Sequence, residues 1–275
     1  MTSSFTTGSL SIGRQLTSST KMFEKAATRL SSGKKINSAS DDAAGLAIAK
    51  QLLGEAAVRS VASQNVSYAQ SASDIASSAI GQISDISTRL SELAAQAANG
   101  TLSTEQRGAL QSEYSQLQEE AVRITETTEF NGKQLLTDGS STTYQVGPDG
   151  SSSSTIQSSG GGISSILAGL PSDISSQSAA QSALDGLQAT QSQLSQQQGQ
   201  IGATSSRLEY ADNVNRVTRD NQIAAASRIE DADIASEVSN LSSAQLKSKA
   251  ASFASSQLRA SEQTIYSSLL GKIKA

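Results

Sequence analysis

The stretch "SASDIASSAIGQISDISTRLSELAAQAANG", residues 71–100, decides the fold. Its apolar residues Ala72, Ile75, Ala79, Ile83, Ile86, Leu90, Leu93 and Ala97 are separated by 3, 4, 4, 3, 4, 3 and 4 positions. That is the apolar stripe of a long helix near heptad spacing. The same helix is read upstream from Ala44 through Ile48, Leu52, Val58, Val61 and Ala69, and Asn99-Gly100 supplies its stop. A second helix follows a short turn. Ser103 or Thr104 caps it, and Leu110, Tyr114, Leu117, Ala121 and Ile124 mark its stripe as far as Asn131-Gly132. The short linker predicts an antiparallel return along the first helix.

Composition changes over residues 137–180. This segment is rich in Ser and Gly, holds both prolines and lacks Lys and Arg. The β-prone run Thr142 to Val146, followed by Pro-Asp-Gly, predicts a small hairpin, and the flanking Ser/Gly runs read as exposed loops. A third helical segment starts near Gln181. Leu184, Leu187, Leu194, Ile201 and Leu208 fall on its a and d positions, with polar Gln191, Gln198 and Ser205 between them. Polar seam positions of this kind help fix register. Residues 234–273 form another amphipathic stretch, through Ile234, Val238, Leu241, Ala250, Phe253, Leu258, Ile265, Leu269 and Ile273. Phe5, Leu10, Leu16, Phe23 and Leu30 make a similar sparse stripe at the other end. Neither terminal helix can bury its apolar face alone, so the two are expected to pair with each other and then with other copies.

The fold class that follows is mainly α: long antiparallel helices forming a rod, a small β-hairpin, and paired N- and C-terminal coiled-coil helices. Only 3% of residues are aromatic and there is no Trp, so thin Ala/Leu/Ile/Val layers are easier to build than a thick core. The absence of Cys excludes disulfides and thiolate metal sites, and the absence of His excludes a Ser–His–Asp triad and a His-Glu-x-x-His protease. A net charge of −4 gives no reason to expect nucleic acid as a partner. The opening MTSSFTTGSLSIGRQL lacks the apolar core of ~7–15 residues that a secretory signal needs. No stretch approaches the ~18 apolar residues of a membrane span.

Three clusters invite a chemical reading. Asp41-Asp42 resembles a metal or acid/base pair, but adjacent helical residues diverge by about 100°. Capping is the better account, with Ser38 or Ser40 accepting from orphan N–H groups and the aspartates favouring the helix dipole. Gly33 in Ser-Ser-Gly-Lys-Lys lacks phosphate-loop spacing and reads as a helix C-cap. Glu230, Asp231, Asp233 and Glu237 lie in close order, without an EF-hand's glycine, so Asp231 or Asp233 opening a new helix is the simpler account. Neither cofactor nor metal is called for. Two joints result, one across residues 33–43 that includes Gly33, Asn37, Ser40, Asp41 and Asp42, and one across 227–236 that includes Arg228, Glu230, Asp231 and Asp233.

At these joints the chain resembles bacterial flagellin. "RLSSGKKINSASDDAAGLAIA", residues 29–49, is similar to that family's N-terminal signature, and "SRIEDADIASEVSNLSSAQL", residues 227–246, to its C-terminal one. "ELAAQAANG", "TEFNGKQLL" and "YQVG" match in the expected order. The resemblance implies a non-enzymatic subunit that polymerises into a helical filament outside the cell and is exported through the flagellar type III apparatus. It implies an inner coiled coil from residues 1–32 and 237–275, packed by Leu10, Leu16, Phe23, Leu30, Val238, Leu241, Phe253, Leu258, Ile265 and Leu269. It implies a surrounding rod from 44–136 and 181–226, with the hairpin and loops of 137–180. The implied partners are further copies, an export chaperone at the C-terminal helix, and the filament cap and hook-junction proteins. The vertebrate Toll-like receptor for flagellin is implied as well, through Arg89, Leu93 and Glu113. A hook–filament junction protein is the alternative within the same class.

Overall fold

The computed structural model describes residues 2–137, 139, 141–159 and 162–273, with side chains over 8–137, 139, 141–158 and 162–267. Among the described residues, six α-helices and four strands follow in order: α1 (Thr2–Ser32), α2 (Ala43–Ala97), α3 (Thr104–Thr127), β1 (Glu129–Phe130), β2 (Lys133–Gln134), β3 (Ser141–Gln145), β4 (Thr155–Ser159), α4 (Ile163–Ala168), α5 (Gln177–Glu230) and α6 (Ile234–Ile273). Both prolines lie outside the helices, as their missing N–H demands. The residues form two units, one of Met1–Gly54 with Gln222–Ala275 and one of Glu55–Asn221.

In the Glu55–Asn221 unit, α2, α3 and α5 carry the core. α3 runs antiparallel to α2, with Arg89 meeting Glu113 and Arg107 Nε donating to the Ala97 carbonyl. α5 also runs antiparallel to α2, through Arg59–Asn215, Ser63–Asp212 and Gln191–Ser84. Ser103 opens α3 with a full capping box: its hydroxyl accepts from Gln106 N–H, and the Gln106 side chain accepts from Ser103 N–H. Tyr114, Ala121 and Ile124 are buried on the expected face of α3, and Leu187, Leu194, Ile201 and Leu208 on that of α5. α5 is longer than the sequence suggests. It starts at Gln177 and runs unbroken to Glu230.

The upstream stripe of α2 differs from expectation. Ile48, Val58 and Val61, and Ile75 further along, are 40% exposed or more, while Ala49, Ala56, Ala62 and Val66 are buried; Ala69 is buried and Leu52 half-buried as expected. Small side chains let helices approach closely, so the contact rotates onto the alanines and the larger residues turn outward. The Ser/Gly-rich middle is also more than loop. Ile163 and Leu167 of α4, with Ile174 beyond it, are buried against the helices. They are the few apolar residues in a serine background, so their burial orders the segment. α3 grips it with side chains: Tyr114 Oη and Gln118 Nε2 both donate to the Pro171 carbonyl at 2.9 Å, and Gln111 bonds Ser172 and Ile174.

The expected hairpin is β3–β4, antiparallel with Tyr144 opposite Ile156. Asp149 organises its turn by accepting from Ser151 N–H and from the Ser151 and Ser154 hydroxyls. Asn65 and buried Asn215 donate to the Gln145 and Val146 carbonyls and dock the hairpin on α2 and α5. A second, smaller hairpin pairs Glu129 with Gln134. It turns through Asn131 and Gly132, at φ 52° and 75°, the signature of a two-residue primed turn.

Burial holds the Tyr114 phenol neutral, raising its pKa from 10.0 to about 12. The unfolded chain therefore releases this proton first. Stability from this residue is complete below pH 10 and is lost as pH rises towards 12. Urea midpoints measured across that window should fall for the native chain and fall less for Tyr114→Phe, which also starts about 1 kcal/mol lower for want of its hydrogen bond. Identical slopes would refute the assignment.

Candidate functional site

Both joints belong to the terminal unit, and they lie side by side. Gly33 closes α1 with φ +70°, a left-handed value that glycine adopts without strain. Its carbonyl accepts from Ala232 N–H at 2.9 Å, and Lys35 N–H donates to the Glu230 carbonyl at 2.7 Å. Lys34 and Asp231 thereby form an antiparallel bridge. Lys34 Nζ also meets Glu230 Oε1 at 2.9 Å, where the carboxylate is buried and the ammonium is 40% exposed. Lys35 Nζ reaches the Arg228 carbonyl, and Asn37 Nδ2 donates to the Lys34 carbonyl.

The two neighbouring aspartates do different things. Asp42 Oδ1 accepts from Gly45 N–H at 2.9 Å and caps α2. Asp41 turns back into the loop. It accepts from the Asn37 and Ser38 N–H groups and pairs with Lys25 at 3.0 Å. Ser38 and Ser40 were the expected caps, but their hydroxyls bond each other and Ser38 bonds Asp41. Asp42 stands directly before α2, so its carboxylate, not a serine two to four residues further back, reaches the Gly45 N–H of the first turn. A Cβ at Gly45 would stand 2.5 Å from Asp42 Oδ2 and 3.0 Å from Ile36 Cδ1, so a larger residue here would push the capping carboxylate aside. At the returning joint Asp233, not Asp231, opens the helix, accepting from Ala235 and Ser236 N–H. Asp231 takes the Ser227 hydroxyl instead. Each carboxylate at the joints that was read as a candidate ligand has a partner within the chain. Among the described residues no group of three or more His, Cys, Asp or Glu could hold a metal ion.

α1 and α6 pair antiparallel, with Gly8 facing Leu258 and Arg29 Nη1 meeting Glu237 Oε1 at 3.0 Å. The buried residues of the pair are Ser19 and Ala26 on α1 and Glu237, Ala244 and Ala251 on α6. Leu16, Leu30, Leu241 and Leu258 are half-buried beside them. The other residues named for inner packing point away within the single chain. Leu10, Phe23, Val238, Phe253 and Ile265 are 36–67% exposed, and Leu269 lies outside the described side chains. Leu246 and Tyr266 join them at 69% and 65%. The outward apolar face is thus larger than the stripe read from the sequence.

In the other unit, Arg89 and Glu113 are together on the surface. Arg89 donates to Glu113 Oε1 at 2.8 and 3.1 Å and to Glu92 Oε2 at 2.8 Å. Leu93 is not on that surface. It is 1% exposed, in the core with Leu90, Ala94 and Tyr114. A residue on the core-facing stripe of α2 cannot also present itself to a receptor, so the expected trio reduces to an exposed pair.

Comparison with known proteins places these features in a family. Residues 5–142 match the bacterial flagellin N-terminal helical region, and residues 184–269 match the bacterial flagellin C-terminal helical region. The chain is 36% identical to a flagellin of Halalkalibacterium halodurans over 217 residues, covering 78% of this chain and 80% of that one. It is 42% identical over 135 residues to polar flagellin F of Vibrio parahaemolyticus, covering 49% of this chain but only 36% of that longer protein. Among solved structures, Bacillus cereus flagellin is similar at a TM-score of 0.51 and 25% identity, over 55% of this chain and 88% of that one. A structure described as a flagellar hook-associated protein from Vibrio parahaemolyticus shares the fold at a TM-score of 0.59 and 12% identity, over 70% of this chain and all of that one.

The Lys25 side-chain hydrogen bond, joined by those of the loop amides, lowers the Asp41 pKa from 3.8 to about 2. Its contribution to the joint is therefore complete above pH 3.8 and is lost as pH falls through about 2. A carboxyl-carbon NMR titration should find Asp41 still ionised near pH 3, and Lys25→Ala should move its midpoint back towards 3.8. An unshifted midpoint in the native chain would refute the pairing.

Proposed function

The chain belongs to the bacterial flagellin family, and we propose that it polymerises by burying the outward apolar faces of α1 and α6 against further copies. It is a structural subunit of the flagellar filament. The observation that carries the mechanism is the direction of the large side chains. Small residues fill the α1–α6 contact, while Leu10, Phe23, Leu246, Phe253 and Tyr266 stand in solvent. Large apolar side chains left exposed along both helices of a pair mark an interaction site. Identical subunits meeting through unlike faces, with a rotation that does not close, generate a helical fibre. In this reading the terminal pair supplies the coiled-coil layer, and the two bonded joints carry the chain between that layer and the rest. Export through the flagellar type III apparatus, a chaperone on α6, and the cap and hook-junction proteins complete the assembly route in this reading. The hook-associated structure shares the fold alone, so the filament subunit is the reading retained.

A second surface supports recognition of the subunit by the flagellin-sensing Toll-like receptor. Arg89 and Glu113 are about half exposed and hold each other in a fixed geometry. An arginine so oriented presents a planar, charged edge to a partner.

Two experiments test these readings. Burying one phenyl group contributes about 1.5–3 kcal/mol, so Phe253→Ser should raise the concentration needed for polymerisation by roughly tenfold or more, and a chain lacking residues 241–275 should form no fibres. Normal filaments from the truncated chain, seen by electron microscopy, would overturn the assembly mechanism. For the receptor, Arg89→Ala should weaken signalling in a reporter cell; an unchanged response removes that partner.

A further inference from the structure

We infer that Met22 is an oxidation site on the assembly surface, and that its conversion to the sulfoxide by a peroxide blocks assembly of the free subunit. Peroxides pass an oxygen atom to thiolates and thioethers far faster than to other side chains. The sequence holds no Cys and two Met, Met1 and Met22. Two-electron oxidation of this chain therefore has few places to go. Met22 lies within α1 and is 50% exposed, so its side chain is open to a dissolved oxidant.

Its place in the fold gives the change a consequence. Met22 stands three residues after buried Ser19 and four before buried Ala26, which puts it on the flank of the α1–α6 contact. With Leu10 and Phe23 it is one of the large apolar side chains that α1 leaves exposed. These are the side chains that the filament reading buries against further copies, and the inference rests on that reading. Methionine is flexible and apolar and fills irregular gaps between surfaces. The sulfoxide has a similar length but carries a polar oxygen that accepts hydrogen bonds. In the free subunit that oxygen turns to water at little cost. Between copies it is buried among apolar groups, and a buried acceptor without a donor is costly. The penalty falls on the polymer and spares the monomer, so it shifts the assembly equilibrium.

The step balances. Hydrogen peroxide gives one oxygen atom to Met22 Sδ and leaves as water; the sulfur loses two electrons and the peroxide gains them. A methionine sulfoxide reductase reverses the step, with a dithiol supplying the two electrons and the oxygen leaving as water. Once a fibre has buried the sulfur, the oxidant no longer reaches it, so the control acts before assembly.

The test treats the purified chain with hydrogen peroxide, as free subunits and as fibres, and reads Met22 by peptide mass spectrometry. Free subunits should gain one oxygen atom there, and fibres treated identically should be largely spared. Oxidised subunits should need a roughly tenfold higher concentration to form fibres, the scale of one buried unpaired acceptor. Reductase treatment should restore the original threshold. Met22→Leu keeps the volume without the sulfur, so it should assemble like the native chain before and after peroxide. Assembly of the oxidised chain at the native threshold overturns the inference. So does equal oxidation of Met22 in fibres and subunits, or a peroxide effect that persists in Met22→Leu. A native chain that forms no fibres counts against the filament reading and the block together, whereas Met22 left unoxidised in free subunits overturns the site by itself.

Discussion

Small side chains make the fully buried contacts along the first part of α2 and most of those between α1 and α6, beside the Leu/Ile core of the other helices, and many other features depend on that. Ala49, Ala56, Ala62, Ala69, Ala72, Ala76 and Ala79 are buried along α2, and Ser19, Ala26, Ala244 and Ala251 between α1 and α6. Alanine allows close approach and loses no side-chain entropy, but it removes little apolar surface from water. Each contact is therefore weak, and length compensates: α2 has 55 residues and α5 has 54. The same choice leaves the larger apolar residues without a partner inside the chain. Val58, Val61, Tyr68 and Ile75 on α2, and Tyr210, Val214 and Val217 on α5, are exposed as fully as those of the terminal pair.

Weak, repetitive seams need something else to specify which residues meet, and polar groups take that role. Gln191 donates to Ser84 across the α2–α5 contact, and buried Asn215 ties α5 to both Arg59 and the hairpin. Tyr114, Gln111 and Gln118 hold an otherwise featureless segment by its carbonyls. A hydrogen bond of this type contributes only about 1 kcal/mol net, but leaving its partner buried and unpaired costs more. Such groups penalise wrong pairings more than they reward the right one.

The helices were legible because their signals are local. Heptad spacing marked α2, α3 and α5, Ser103 marked the start of α3, and Gly33 the end of α1. What was not legible depended on distance in space. Whether Ile75 or Ala76 faces the core is decided by how closely a partner helix approaches, and the sequence of α2 does not contain that separation. Leu93 could be matched to a surface by motif, yet its own heptad position already assigned it to the core. Asp41 and Asp42 both bond backbone amides of the joint, but which oxygen reaches which amide depends on the path of the loop from Asn37 to Gly45. The β1–β2 hairpin carried the plain Asn-Gly signal at 131–132 and was missed only because its strands are two residues long.

The outward apolar faces are best understood as a consequence of what the subunit must do. A chain that turned Phe253, Leu246 and Val238 inward would be more stable alone and would have nothing left to bury on assembly. A chain that exposed them without order would aggregate, since apolar surface does not choose its partner. The antiparallel pairing of α1 and α6 resolves this by presenting those residues on defined faces of a two-helix unit. The bonded joints at Gly33–Asp42 and Glu230–Asp233 hold one end of that unit in place. The directional polar contacts at the joints give the pair a defined geometry in which the non-directional hydrophobic effect can act between copies.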